Sequence, residues 1–93
     1  MSKGVALGFV ETRGNTGAIQ ALDAMIKAAN VEFVKRVEIG SAYVTIMVRG
    51  EVGAVRSSVE AGASAAAKVG ELFCTNVIPA AHDDVYEIIG LEK

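Results

Sequence analysis

Apolar and polar positions divide the chain into seven segments. From Val5 to Thr12 the residues form a short, mostly apolar run with β-favouring members, closed by Arg13-Gly14-Asn15, and this predicts a strand. Between Asn15 and Asn30, Ile19, Leu22, Met25, Ile26 and Ala29 recur at helical spacing, with Gln20, Asp23 and Lys27 largely on the other side. This predicts a helix whose apolar stripe faces a core, with Asn15 or Thr16 as its cap. Asp23 and Lys27 stand four apart, in the order that favours a helical ion pair. Val31 to Ile39 alternates roughly, which predicts a strand with one wetter face. Tyr43 to Arg49 is strongly β-prone, and Gly40-Ser41-Ala42 between the two reads as a hairpin turn.

Glu51 to Lys68 predicts a second helix. Val52, Val55 and Val59 mark its core side, and Arg56, Glu60, Ser64 and Lys68 form a polar row at intervals of four. Its many alanines and Gly62 permit close backbone approach, and Gly70 suits its end. Glu71 to Ile78 predicts a fourth strand, stopped by Pro79, and His82 to Ile89 a short final helix. The order β-α-β-β-α-β is the split βαβ pattern of an α+β, ferredoxin-like sandwich, expected as a single domain over residues 1–93. Two helices cover one face of such a sheet. The other face stays open, yet the strands carry apolar residues on both sides.

Composition sharpens that tension. Hydrophobic residues make up 52% of 93 residues, and the mean hydropathy is +0.39. A chain this short buries only roughly 60–70% of the surface exposed when unfolded, so contact with other subunits is a natural outlet for the apolar excess. A net charge of −2, five per cent aromatics and no tryptophan argue against a nucleic-acid partner. No segment has the length of a membrane span, and Met1-Ser2-Lys3-Gly4 leads into a strand without the pattern of a signal peptide. The single cysteine, Cys74, rules out a disulfide within the chain and fits a reducing cytosolic setting. Cys74 itself is expected to be a buried strand residue.

Candidate chemistry is thin. Gly14-Asn15-Thr16-Gly17 precedes a helix, where an anion can bind, but it lacks the spacing of a phosphate loop and reads as a cap and turn. His82 beside Asp83 and Asp84 has no second histidine to form a metal site, and acids suit a helix start. Glu11, Arg13 and Arg49 lie near strand ends, where charged residues more often form structural ion pairs than catalytic groups. Neither a catalytic residue, a metal site nor a cofactor is indicated.

Several runs taken together resemble the shell proteins of bacterial microcompartments (BMC). Gly8-Phe9-Val10-Glu11-Thr12-Arg13-Gly14 resembles their opening strand and turn. Asp23-Ala24-Met25-Ile26-Lys27-Ala28-Ala29 is similar to their first helix, and Val48-Arg49-Gly50-Glu51-Val52 with Ala54-Val55 to the start of their second. Glu60-Ala61-Gly62-Ala63, Val69-Gly70-Glu71 and Val77-Ile78-Pro79 complete a series that runs in order along nearly the whole chain. The resemblance implies a structural, non-enzymatic subunit of the single-domain class, located in a shell in the bacterial cytoplasm. Six copies would form a hexamer around a pore for small polar metabolites, and hexamers would tile into sheets with other shell proteins around encapsulated enzymes.

On this resemblance, Ile39, Gly40, Ser41 and Ala42 form the pore loop, with Ser41 at the narrowest point. Glu38 adds negative charge at the rim, which would favour neutral solutes over anions. Lys27, Ala80 and His82 fall at hexamer edges. Ala42 stands where glycine is common, and Ala80 where an edge arginine is customary. The rival reading is a ferredoxin-like regulatory domain that binds a small molecule, because fold alone does not fix function. A small hydrolase of acylphosphatase type using Arg13 is more remote, since the glycine-arginine-rich loop of that family is missing.

Overall fold

The structure is a computed structural model and describes residues 5–40, 42–82 and 84–85. Its elements follow the expected order: β1 (Ala6–Arg13), α1 (Asn15–Ala28), β2 (Glu32–Ile39), β3 (Tyr43–Gly50), α2 (Val52–Lys68) and β4 (Leu72–Ile78). The strands form one sheet in the order β2-β3-β1-β4, every neighbouring pair antiparallel. This is the ferredoxin-like arrangement. Of the final helix expected over 82–89, only Asp84 and Val85 are helical within the described residues, with the Val85 N–H donating to the His82 carbonyl at 2.9 Å.

Alternation along the strands sorts their side chains onto two faces. Ala6, Val10, Val44, Ile46 and Val48 turn toward the helices and pack with Ala18, Ala21 and Met25 of α1 and Val55, Val59 and Ala66 of α2. Each large side chain removed from water in this layer contributes about 1.5–3 kcal/mol. The layer is thin because glycine lets the elements close up. A Cβ at Gly8 would lie 2.7 Å from methyls of both Val55 and Val59, and one at Gly62 would lie 2.5 Å from Met25 Cγ. Gly8 thus seats α2 on β1, and Gly62 admits Met25 between the two helices. Among the described residues the two buried hydroxyls are satisfied: Ser58 donates to the Met25 carbonyl at 3.1 Å, and Thr12 to those of Gly14 and Val44 at 3.0 and 3.3 Å.

The apolar stripe of α1 differs from the one expected. Gly17, Ala18, Ala21 and Met25 are buried, whereas Ile19 and Ile26 are 49% and 50% exposed. The small residues form the contact face because α1 lies close against α2 and the sheet. Ile19 and Ile26, two turns apart, form a separate stripe on the outside.

The start of α1 also corrects the expectation of a local cap. Neither Asn15 nor Thr16 caps it; Gly14 holds the capping position with φ 92° and no side-chain hydrogen bond of its own. The Gly17 N–H instead donates to the carboxylate of Glu71, which leans across a helix face that has no side chain in its way. Backbone at Glu71 adds two further ties. Its N–H donates to the Ala66 carbonyl at 3.0 Å while Gly70, at φ 72°, donates to Ala67 at 2.9 Å, which closes α2 in a Schellman turn. Its carbonyl accepts from the Arg13 N–H at 2.7 Å. The start of α2 is capped locally, with the Glu51 carboxylate accepting from Gly53 and Ala54 at 2.9 and 3.1 Å.

Candidate functional site

The β2–β3 hairpin turns at the end of the sheet where β1 passes into α1. Gly40 takes φ 64°, a left-handed conformation that glycine adopts without strain, and no atom lies within 4 Å of where its Cβ would be. Ile39 is 55% exposed, and Glu38 and Ala42 are exposed. Ser41 lies outside the described residues. Among the described residues every positive φ belongs to glycine, so Ala42 carries no left-handed strain and the turn places that demand on Gly40. The loop is anchored at its base, where the Gly14 N–H donates to the Ala42 carbonyl at 2.6 Å.

Behind the hairpin lies a small cavity of about 110 Å³, lined by Gly14, Asn15, Glu38, Gly40, Ala42, Tyr43 and Val44. Glu38 is not an isolated charge. Alternation puts Arg36 and Glu38 on the same side of β2, and the two form an ion pair. The same guanidinium donates twice to Asn15 Oδ1, from Nε at 3.1 Å and Nη2 at 2.7 Å. The Glu38 charge is therefore offset within its own chain.

The proposed edge residues sit apart from the hairpin. Lys27 is exposed on α1 and pairs with Asp23 at 2.9 Å, the i,i+4 contact expected from the sequence. Ala80 and His82 are exposed after β4, and the Asp84 N–H donates to His82 Nδ1 at 3.0 Å. Ala81 between them is buried. Its N–H donates to the Val5 carbonyl at 3.3 Å, and it packs with Leu7, Phe9, Ile78 and Val85 over one end of the open sheet face.

The rest of that face carries a row of side chains from three strands. Cys74 is exposed, contrary to the burial expected for it, because β4 is an edge strand of the described sheet and α1 and α2 both pack on the opposite face. Its thiol donates to Glu11 Oε1 at 3.2 Å, and Thr45 Oγ1 donates to Glu11 Oε2 at 3.2 Å. The hydrogen bond to the Glu11 carboxylate, with burial and the carboxylate's charge adding to it, raises the Cys74 pKa above the usual thiol value. The β1–β4 register shifts between Glu11 and Thr12, which makes Phe73 an extra residue. Its ring lies 4.9 Å from Tyr43 and under the Arg13 guanidinium at 5.3 Å. A shallow apolar depression of about 330 Å³, lined by Phe9, Lys35, Val37, Ile39, Thr45 and Met47, occupies the middle of the face.

The charged strand residues singled out from the sequence are thus engaged in structural contacts. Arg49 forms a two-pronged pair with Glu32 at 2.8 and 2.9 Å, and that hydrogen bond lowers the Glu32 pKa. No group of three or more His, Cys, Asp or Glu residues able to hold a metal ion occurs among the described residues. No described helix is long and apolar enough to cross a membrane. The start of α1 meets a carboxylate from its own chain, which accounts for the anion-binding look of Gly14-Asn15-Thr16-Gly17.

Comparison with known proteins decides what this scaffold is. The BMC domain family model matches residues 6–81. The chain belongs to the BMC domain family. It is 55% identical over 84 residues to the bacterial microcompartment shell protein PduA of Citrobacter freundii, covering 90% of each chain. It is 48% identical over 91 residues to the carboxysome shell protein CsoS1B of Hydrogenovibrio crunogenus, covering 97% of this chain and 94% of that one. Among solved structures, a microcompartment protein from Desulfitobacterium hafniense superposes with a TM-score of 0.83 at 30% identity, covering 96% of this chain. The BMC chain described here spans 49% of that protein. The relatives are structural shell proteins, and they do not favour the regulatory-domain reading.

Proposed function

We propose that six copies of this shell subunit close around an axis with the β2–β3 hairpin tips at its centre, leaving a pore for small polar metabolites. The observation that carries this reading is the hairpin tip, where the side-chain direction of Gly40 opens into empty space and Ile39 stands exposed. A tip that is exposed on this side is open to neighbouring copies. The external Ile19 and Ile26 stripe offers those copies apolar surface that the monomer leaves wet, in keeping with the apolar excess of the sequence.

In this reading Ile39, Gly40, Ser41 and Ala42 line the pore and Glu38 lies at its rim, while Lys27, Ala80 and His82 face the next hexamer. Partners are further copies, other shell proteins and the enzymes enclosed in the bacterial cytoplasm. The subunit acts by assembly and passage, without catalysis. Native mass spectrometry tests the first step and should show a hexamer; a stable monomer at micromolar concentration refutes it. Ser41→Leu tests the second, because six leucines on one axis should block the entry of solutes into closed shells without altering assembly. Equal flux in the variant and parent shells means that Ser41 does not gate passage.

A further inference from the structure

We infer that Arg36 is a specificity-determining residue of the pore, holding its rim close to electrical neutrality by pairing with Glu38; this rests on the pore reading above. Arg36 lies outside the loop that the family resemblance marks, four residues before Gly40. Three contacts place it. Its guanidinium pairs with Glu38, and two hydrogen bonds to Asn15 Oδ1 fix the planar group from the side of α1. The pair's side chains remain 33% and 60% exposed. Their charge is therefore felt by solutes near the rim, though screened by salt.

Six-fold repetition turns this local pair into a ring property. Six carboxylates alone would focus a negative potential at the opening and enrich cations there. Six guanidinium groups beside them cancel that field at the distance of a passing solute. What remains is a ring of small dipoles, which discriminates little between ions of opposite sign. Charge selectivity is thus set by a difference between two side chains, and removing either should expose the other.

The experiment uses closed shells built mainly from this protein and filled with a tryptophan-bearing cargo. The shell chain has no tryptophan and contributes no tryptophan signal of its own. Entry of iodide, caesium and acrylamide is followed by stopped-flow quenching at low ionic strength, giving anion, cation and neutral fluxes. In the parent, caesium and iodide should enter at rates within about twofold of each other. Arg36→Gln should raise the caesium-to-iodide ratio by about tenfold, and added salt should shrink that change. Glu38→Gln should move the ratio the opposite way, and the double variant should restore it. Because the Glu38 variant keeps Arg36, it tests the inference even if Arg36→Gln fails to assemble. Unchanged ratios in both single variants, with acrylamide still blocked by Ser41→Leu, overturn the role of Arg36 and leave the pore intact. If Ser41→Leu leaves acrylamide entry unchanged, the pore reading fails and takes this inference with it.

Discussion

Gly8→Ala should destabilise the fold through a single methyl group. Gly8 lies in the middle of β1 under α2, with a φ that alanine tolerates, so the backbone makes no objection. The added Cβ would sit 2.7 Å from Val55 Cγ1 and Val59 Cγ2 and 3.2 Å from Val48 Cγ2. Carbon atoms in contact prefer separations of about 3.5–4.0 Å. The three valines are buried, and β-branched side chains have few alternative rotamers. The helix must therefore lift. Overpacking of this kind costs about 1–3 kcal/mol, and replacing a strand glycine by alanine recovers about 0.5–1 kcal/mol. The balance, centred on about 1 kcal/mol, corresponds to a fall in Tm of about 4–8 °C for a domain of this size. Thermal unfolding followed by circular dichroism at one fixed chain concentration measures it, since assembly also stabilises the fold. Val59→Ala should relieve part of the clash, so the double variant should be more stable than the two single losses summed. A Gly8→Ala protein as stable as the parent, or strict additivity in the cycle, would refute the close-packing argument.

Lys27→Asp should leave hexamers intact but abolish sheets in negative-stain microscopy, because Lys27 is exposed and the monomer core does not use it. Ordered arrays like those of the parent would remove Lys27 from the edge. Glu51 has its pKa lowered by the backbone N–H bonds from Gly53 and Ala54, so its contribution is present above the ordinary carboxylate value of 4.5 and is lost as pH falls through the lowered value. Acid titration of stability should accordingly show a smaller loss below pH 4.5 in Glu51→Ala than in the parent, the Glu32 loss of the same sign being common to both. Cys74 should react slowly with iodoacetamide at pH 8, and Glu11→Gln should accelerate the reaction by lowering the raised thiol pKa.

Local pattern carried the elements and the family. Val55 and Val59 on α2, the alternation of β3 and the glycine at the hairpin tip each state their role within a few residues. What escaped the sequence depends on distant partners. Ile19 and Ile26 match a helical core stripe, but Gly62, far along the chain, brings α2 so near that only Ala18, Ala21 and Met25 fit between them. Cys74 looked buried because strand apolarity does not say which face a helix covers. The sequence points to Asn15 or Thr16 as the cap of α1, since capping is usually local, and nothing around Glu71 signals its part. Arg36 was masked by the alternation of β2, which makes it one more residue on a wet face. Its pairing with Glu38 was open to inference from the i,i+2 spacing, and its hold on Asn15 was not.

Glu71 also imposes an order on synthesis. The carboxylate that completes the first turn of α1 is 54 residues downstream of the Gly17 N–H it binds. At about 5–20 residues per second, a ribosome takes about 3–11 s to supply it. Throughout that interval the first helix is without its cap, and the Arg13 N–H that the Glu71 carbonyl receives is likewise without that partner. Both are satisfied together with the closing turn of α2, just before β4 can be added to β1. A nascent chain halted short of this residue would hold most of its apolar surface but neither helix end in its finished state, so the interval before Glu71 is made is the period in which the subunit is most exposed to premature association with its own kind.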